Sequence, residues 1–112
     1  LDAVGRRPEE AVMYKTRWSA FYGTELDRIL KEGGYDTLVL AGFLSHACIR
    51  VTAIDAYQRD YGIVIAGDCV DSYDAAHEKI TLGYLSRYVA RVLSNGEIFD
   101  LLAPSSISAN HQ

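Results

Sequence analysis

At 112 residues, with 49% hydrophobic and 23% charged side chains and a formal net charge of −4, the chain has the make-up of a single globular domain. A chain of this length buries roughly 60–70% of the surface its unfolded form exposes. The acidic balance and the lack of a basic cluster argue against nucleic acid. No apolar run is long enough to span a bilayer and no leader-like segment opens the sequence, so a cytoplasmic setting and a small-molecule partner are expected.

In chain order, residues 1–11 are polar and carry Gly5 and Pro8, so they read as a connection. Val12-Met-Tyr14 is a short candidate strand with Lys15 at its C-terminal end, the edge at which open parallel sheets place their sites. Residues 16–23 form a loop rich in aromatics, Trp18, Phe21 and Tyr22. Thr24-Glu-Leu-Asp27 resembles a capping box, Leu26, Ile29 and Leu30 give a helical apolar face, and Gly33-Gly34 stop that helix near residue 32. Thr37 to Ala41 is a continuous β-rich run without polar alternation, as expected of a parallel strand covered on both faces.

Gly42 breaks this run, and from about Ser45 the spacing turns helical, with Ala47, Val51 and Ile54 in phase and Ser45 available as an N-cap. Cys48 therefore stands in the first turn of a helix over 46–60. There, free N–H groups and the positive end of the dipole favour a thiolate and can also hold an oxyanion. Ile63 to Ala66 repeats the continuous apolar pattern and ends at Gly67-Asp68. Ser72 or Asp74 can cap a helix over 75–89 with Leu82, Leu85 and Val89 on one face. Residues 90–93 read as a last strand, Asn95-Gly96 as its turn, 97–102 as a short final element and 103–112 as a polar tail. Alternation of strands and helices predicts an α/β fold with a parallel sheet over residues 1–102.

Three spaced blocks carry a more specific signal: Lys15-x-x-x-Ser19-Ala20-Phe21-x-Gly23-Thr24-x-Leu26, then Thr37-Leu-Val-Leu-Ala-Gly42, then Cys48 followed by Thr52-Ala53-x-Asp55-Ala56. In this order they resemble the isochorismatase-like cysteine hydrolases, with Asp68 and His77 where members often carry an aspartate and a histidine. The resemblance implies a Rossmann-like three-layer α/β/α domain of strand order 3-2-1-4-5-6, and an Asp-Lys-Cys triad acting on small amides or carbamoyl compounds. It makes Cys48 the nucleophile and Lys15 the triad lysine. It also implies a cis peptide between Phe43 and Leu44, with the N–H groups of Leu44 and Cys48 as the oxyanion hole.

The family's triad aspartate lies at the end of its first strand, upstream of anything this chain contains, and Asp2 does not match that motif. A chain that begins at Leu1 without the first strands is expected to be a fragment or a processed product. The missing half would then come from a longer chain or a partner, and a homo-oligomer is expected. Some members bind zinc in the same upstream region; within this sequence neither a metal site nor a cofactor is expected. The two cysteines, Cys48 and Cys69, form no disulfide framework or metal-ligand spacing, and Cys69 reads as a small buried residue.

Substrate recognition is assigned to Arg17, Trp18 and His46. Arg17 and Trp18 offer a guanidinium fork beside an aromatic wall for a substrate carboxylate, though a solvated arginine satisfies the sequence equally well. Arg50 also flanks Cys48 and reads as exposed; Asp68 and His77 read as structural. Two other functions fit the chain. Isochorismatase-type vinyl-ether hydrolysis does not depend on a cysteine, and Cys48 argues against it; the other is a non-catalytic structural subunit.

Overall fold

The computed structural model describes Gly5 and residues 7–103. Its elements are α1 (Leu26–Glu32), β1 (Thr37–Phe43), a π-helical turn (Ser45–Ile49), α2 (Arg50–Gln58), β2 (Gly62–Asp71), α3 (Ala75–Tyr88), β3 (Arg91–Leu93) and α4 (Asn95–Leu102). The three strands form one parallel sheet in the order β1-β2-β3. The α/β class and the parallel sheet expected from the sequence are therefore present. Residues 104–112, read as a polar tail, lie outside the described residues.

Side-chain alternation along β2 sorts the core into two layers. Ile63 and Ile65 point to one face, where they meet Ile49, Ala53 and Ala56 from the α2 side, Leu85 of α3 and Phe21 of the aromatic loop. Val64 and Ala66 point to the other face and meet Ile98 of α4. The small residues Ala53 and Ala56, both 0% exposed, let α2 approach the sheet closely. Leu26 and Leu30 of α1 and Leu82 and Val89 of α3 pack around the first layer.

Several expectations are corrected. Val12–Tyr14 forms no strand: a strand is stable only when a neighbour takes its hydrogen bonds, and no described residue pairs with this run, so Tyr14 is 89% exposed. Asn95-Gly96 is not a turn but the opening of α4. Ser94 accepts from the Glu97 N–H and Glu97 accepts from the Ser94 N–H, a reciprocal capping box that recruits both residues into the helix. The helix expected over 46–60 begins as a π turn and becomes α-helical only at Arg50. Ser45 is not its cap: Leu44 holds that position, and the wholly buried Ser45 Oγ has no hydrogen-bond partner among the described residues. The core face of α2 follows Ala53 and Ala56 rather than Val51, which lines a cavity. Nor is Cys69 buried: it is exposed and donates to Asn95 Oδ1 at 3.2 Å.

Other local readings hold. Asp74 caps α3 by accepting from the His77 N–H. Asp68 is structural, accepting at 2.9 Å from the backbone N–H of Asn95. Gly34, at φ +71°, supplies the left-handed residue just past α1.

Candidate active site

The site lies where β1 ends. Gly42 takes φ +130°, a conformation that only glycine adopts without strain, and the Phe43–Leu44 peptide that follows is cis. The chain then enters the π turn, which places Cys48 half-buried beside the C-terminal end of the strand. Open parallel sheets bind their ligands at this end.

Lys15 reaches the same point from far away in sequence. Its Nζ donates to the Arg17 carbonyl at 2.9 Å and the Trp18 carbonyl at 3.3 Å, and stands 3.5 Å from Cys48 Sγ. The loop that carries it is pinned onto α2. The Ala20 N–H donates to Thr52 Oγ1 at 2.9 Å, and Ser19, 4% exposed, accepts from the Phe21 N–H at 3.1 Å. Phe21 is buried, stacks on Tyr61 with ring centroids 6.0 Å apart, and lies under the Arg59 guanidinium at 4.8 Å. This gives the spacing of the sequence blocks a physical cause: Ser19-Ala20-Phe21 and Thr52 are the two halves of the clamp that holds Lys15 against the thiol.

Trp18 separates two cavities. One, of about 670 Å³, is lined by Lys15, Arg17, Tyr22, Val51 and Asp55. The other, of about 420 Å³, is bounded by Leu44, His46, Ala47, Arg50 and the segment after β2. Of the residues assigned to substrate, Trp18 touches both cavities, Arg17 lies in the first and His46 in the second. The Arg17 guanidinium is turned back onto its own chain, donating to the Thr16 carbonyl at 2.8 Å. His46 Nδ1 is 2.6 Å from Ser72 Oγ, and its ring packs against Tyr73 and His77. Ser72, read only as a possible cap, and Tyr73 are thus brought to the site. Nothing in their local pattern signals this, because β2 delivers them across the sheet.

Among the described residues no three His, Cys, Asp or Glu side chains form a group able to hold a metal ion. No described carboxylate is hydrogen-bonded to Cys48 or to Lys15. No described helix is long and apolar enough to cross a membrane.

A parallel sheet that carries a thiol and an ammonium at its C-terminal edge defines the open-sheet α/β class. The chain belongs to the isochorismatase family, whose domain matches residues 1–97. It is 36% identical over 88 residues to maleamate amidohydrolase of Pseudomonas putida, covering 78% of this chain and 41% of that one. Among solved structures it is similar to an isochorismatase family protein from Desulfovibrio vulgaris subsp. vulgaris str. Hildenborough, with a TM-score of 0.82 and 32% identity over 87% of this chain and 51% of that one. The nicotinamidase/pyrazinamidase PncA of Bacillus subtilis gives 0.72 and 36%, over 73% and 45%. This is a family of isochorismatase-like hydrolases with amidohydrolases among its members. The chain spans about half the length of the curated relatives it matches.

Proposed function

We propose that this chain carries the nucleophile of a cysteine-dependent amidohydrolase acting on a small amide or carbamoyl compound. The observation that supports this best is the 3.5 Å approach of Lys15 Nζ to Cys48 Sγ across 33 residues of sequence. The Lys15 ammonium directs a donor at the Cys48 sulfur, the atom that acts as nucleophile once its proton is removed. The thiolate adds to the substrate carbonyl, whose oxygen takes the charge and is held by the N–H groups of Leu44 and Cys48. Collapse of this adduct breaks the C–N bond, releases ammonia and leaves a thioester, which water hydrolyses to the acid and the free thiol. The proton that leaves the thiol must reach the departing nitrogen. An aspartate supplied by the upstream half of the domain, in a longer chain or a partner, takes that role.

Two variants test the reading. In the protein that includes the aspartate, Cys48→Ser lowers ammonia release by roughly 10³-fold or more, the scale on which an enzyme loses its nucleophile, with the circular dichroism spectrum unchanged. Residues 1–112 alone release little. Near wild-type turnover in Cys48→Ser would remove the cysteine mechanism. At neutral pH Cys48 takes up iodoacetamide faster than the exposed Cys69, and Lys15→Ala slows Cys48 several-fold while leaving Cys69 as it was. Equal labelling of Cys48 with and without Lys15 would reduce that lysine to a surface charge.

A further inference from the structure

The cleft on the far side of Trp18 from Lys15 has a character of its own. At about 420 Å³ it is the right size for a small metabolite, and it reaches Leu44, the residue proposed to hold the oxyanion. Among the described residues none of those lining it is acidic, in a chain with 15 Asp and Glu against 11 Lys and Arg. The cavity that holds Lys15 and Arg17, by contrast, includes Asp55.

Two groups in the cleft are set up to receive an anion. Arg50 makes no hydrogen bond or ion pair with any described residue. Arg28 is held by Glu25 and Glu32, Arg59 by Asp55, and Arg17 by its neighbour's carbonyl. The second group is His46. Ser72 Oγ accepts from the Asp74 N–H at 3.0 Å and stands 2.6 Å from His46 Nδ1, to which its hydroxyl can donate. With Nδ1 as acceptor, the ring proton of neutral His46 sits on Nε2. The ring is fixed edge-on to Tyr73 at 5.3 Å and stacked on His77 at 5.6 Å, while His77 is tied to Asp74 at 2.8 Å. In that tautomer Nε2–H is the donor left over on a ring packed against Tyr73 and His77.

We propose that this cleft is the specificity pocket of the Cys48 site, and that it selects amides bearing a carboxylate. Arg50 receives the carboxylate through its guanidinium fork, His46 Nε2–H supplies a second donor, and Trp18 walls the apolar linker between carboxylate and amide. The inference rests on Cys48 as the nucleophile, and it moves the carboxylate role expected of Arg17 to Arg50.

Protection of Cys48 from alkylation tests it without requiring turnover. Succinamate carries an amide and a carboxylate; propionamide is the comparable amide with no carboxylate. Iodoacetamide labelling of Cys48 is followed by peptide mass spectrometry with each compound added, and Cys69 serves as the reference thiol. Succinamate is expected to protect Cys48 saturably at concentrations about tenfold below propionamide, the scale of one charge-assisted pair. Arg50→Gln raises the half-protecting concentration of succinamate about fivefold or more, whereas Arg17→Gln changes it less than about twofold. Protection unchanged in Arg50→Gln, or weakened equally in Arg17→Gln, overturns the Arg50 assignment and leaves the nucleophile standing. A Cys48 no more reactive than Cys69 overturns the nucleophile reading instead, because succinamate protection and its dependence on Arg50 remain measurable on an ordinary thiol.

Discussion

β1 and β2 have the same kind of sequence and unlike surroundings. Thr37-Leu-Val-Leu-Ala and Ile63-Val-Ile-Ala are both continuous apolar runs, yet Val64 and Ile65 are 3% and 0% exposed while Val39, in register with Val64, is 48% exposed. β2 has a strand on each side, α2 and α3 on one face and α4 on the other. Among the described strands β1 pairs with β2 alone, and Val39 takes no part in the core layer that includes Ile98 of α4. The helices differ in the same sense. α3 and α4 are capped by Asp74 and Ser94, whereas α1, the π turn and α2 have no side-chain hydrogen bond at their N-caps. A run without polar alternation thus states what a strand requires, cover on both faces, and the neighbours decide whether the requirement is met.

The largest expected effect comes from breaking the covered strand. Ile65→Ala removes a wholly buried side chain from the centre of the first core layer and should cost about 2–5 kcal/mol in denaturant unfolding. Val39→Ala, the same truncation in kind on the open strand, should cost less than about 1 kcal/mol, since little of its surface leaves water on folding. Equal losses at the two sites would show that β1 is buried in solution by contacts absent from this fold.

Next in size is the behaviour of the free edge. A strand with one unpaired row of N–H and C=O groups and exposed Val39 and Phe43 is a template for pairing with another chain. Residues 1–112 should therefore associate as concentration rises in sedimentation velocity, and Val39→Lys, which places a charge on the open strand, should shift them toward monomer. A wild-type chain that stays monomeric at every concentration would remove the edge as an adhesive surface.

How much of this could be read in the sequence follows from the same contrast. Both runs announced themselves as strands, because β-branched and leucine side chains without polar alternation admit few other placements. The thiol near a helix start was legible from Gly42 and the change of period after it. The spacing of Lys15 to Ser19-Ala20-Phe21 singles it out through the resemblance to isochorismatase-like hydrolases, and the clamp on Thr52 gives that spacing a physical cause. Val12–Tyr14 misled because strand propensity is a demand for a partner, and no described residue supplies one. Asn95-Gly96 has the composition of a turn, but the Ser94–Glu97 capping box around it draws both residues into α4. Arg50 was visible as a neighbour of Cys48, but its freedom from acidic partners is a fact of three-dimensional arrangement, as is the arrival of Ser72 behind His46.

The smallest effect separates the capped helices from the uncapped ones by pH. The Asp74 carboxyl is held below its usual range, first by the hydrogen bond it accepts from the His77 backbone N–H, with partial desolvation acting against this. Glu97 is held down by the Ser94 backbone N–H and then by the Ser94 side chain. A carboxyl whose folded pKa is depressed stabilises the fold only while ionised. Its contribution is complete above the unfolded carboxylate pKa and is lost as the pH falls through the lower folded value. Between about pH 6 and pH 3, amide protection in the first turns of α3 and α4 should therefore fall more than in the first turn of α2, whose N-cap has no side-chain bond to lose. Asp27 on α1 is lowered as well, first by its hydrogen bond from Lys31 and then by that from Tyr61, so α1 should also loosen from the start of β2 on acidification. Asp74→Asn keeps an acceptor at the cap and removes the titrating charge. In that variant the first turn of α3 should lose its acid sensitivity while α4 keeps its own. An α3 that loosens as much in Asp74→Asn as in the wild type would show that acid acts there through other groups.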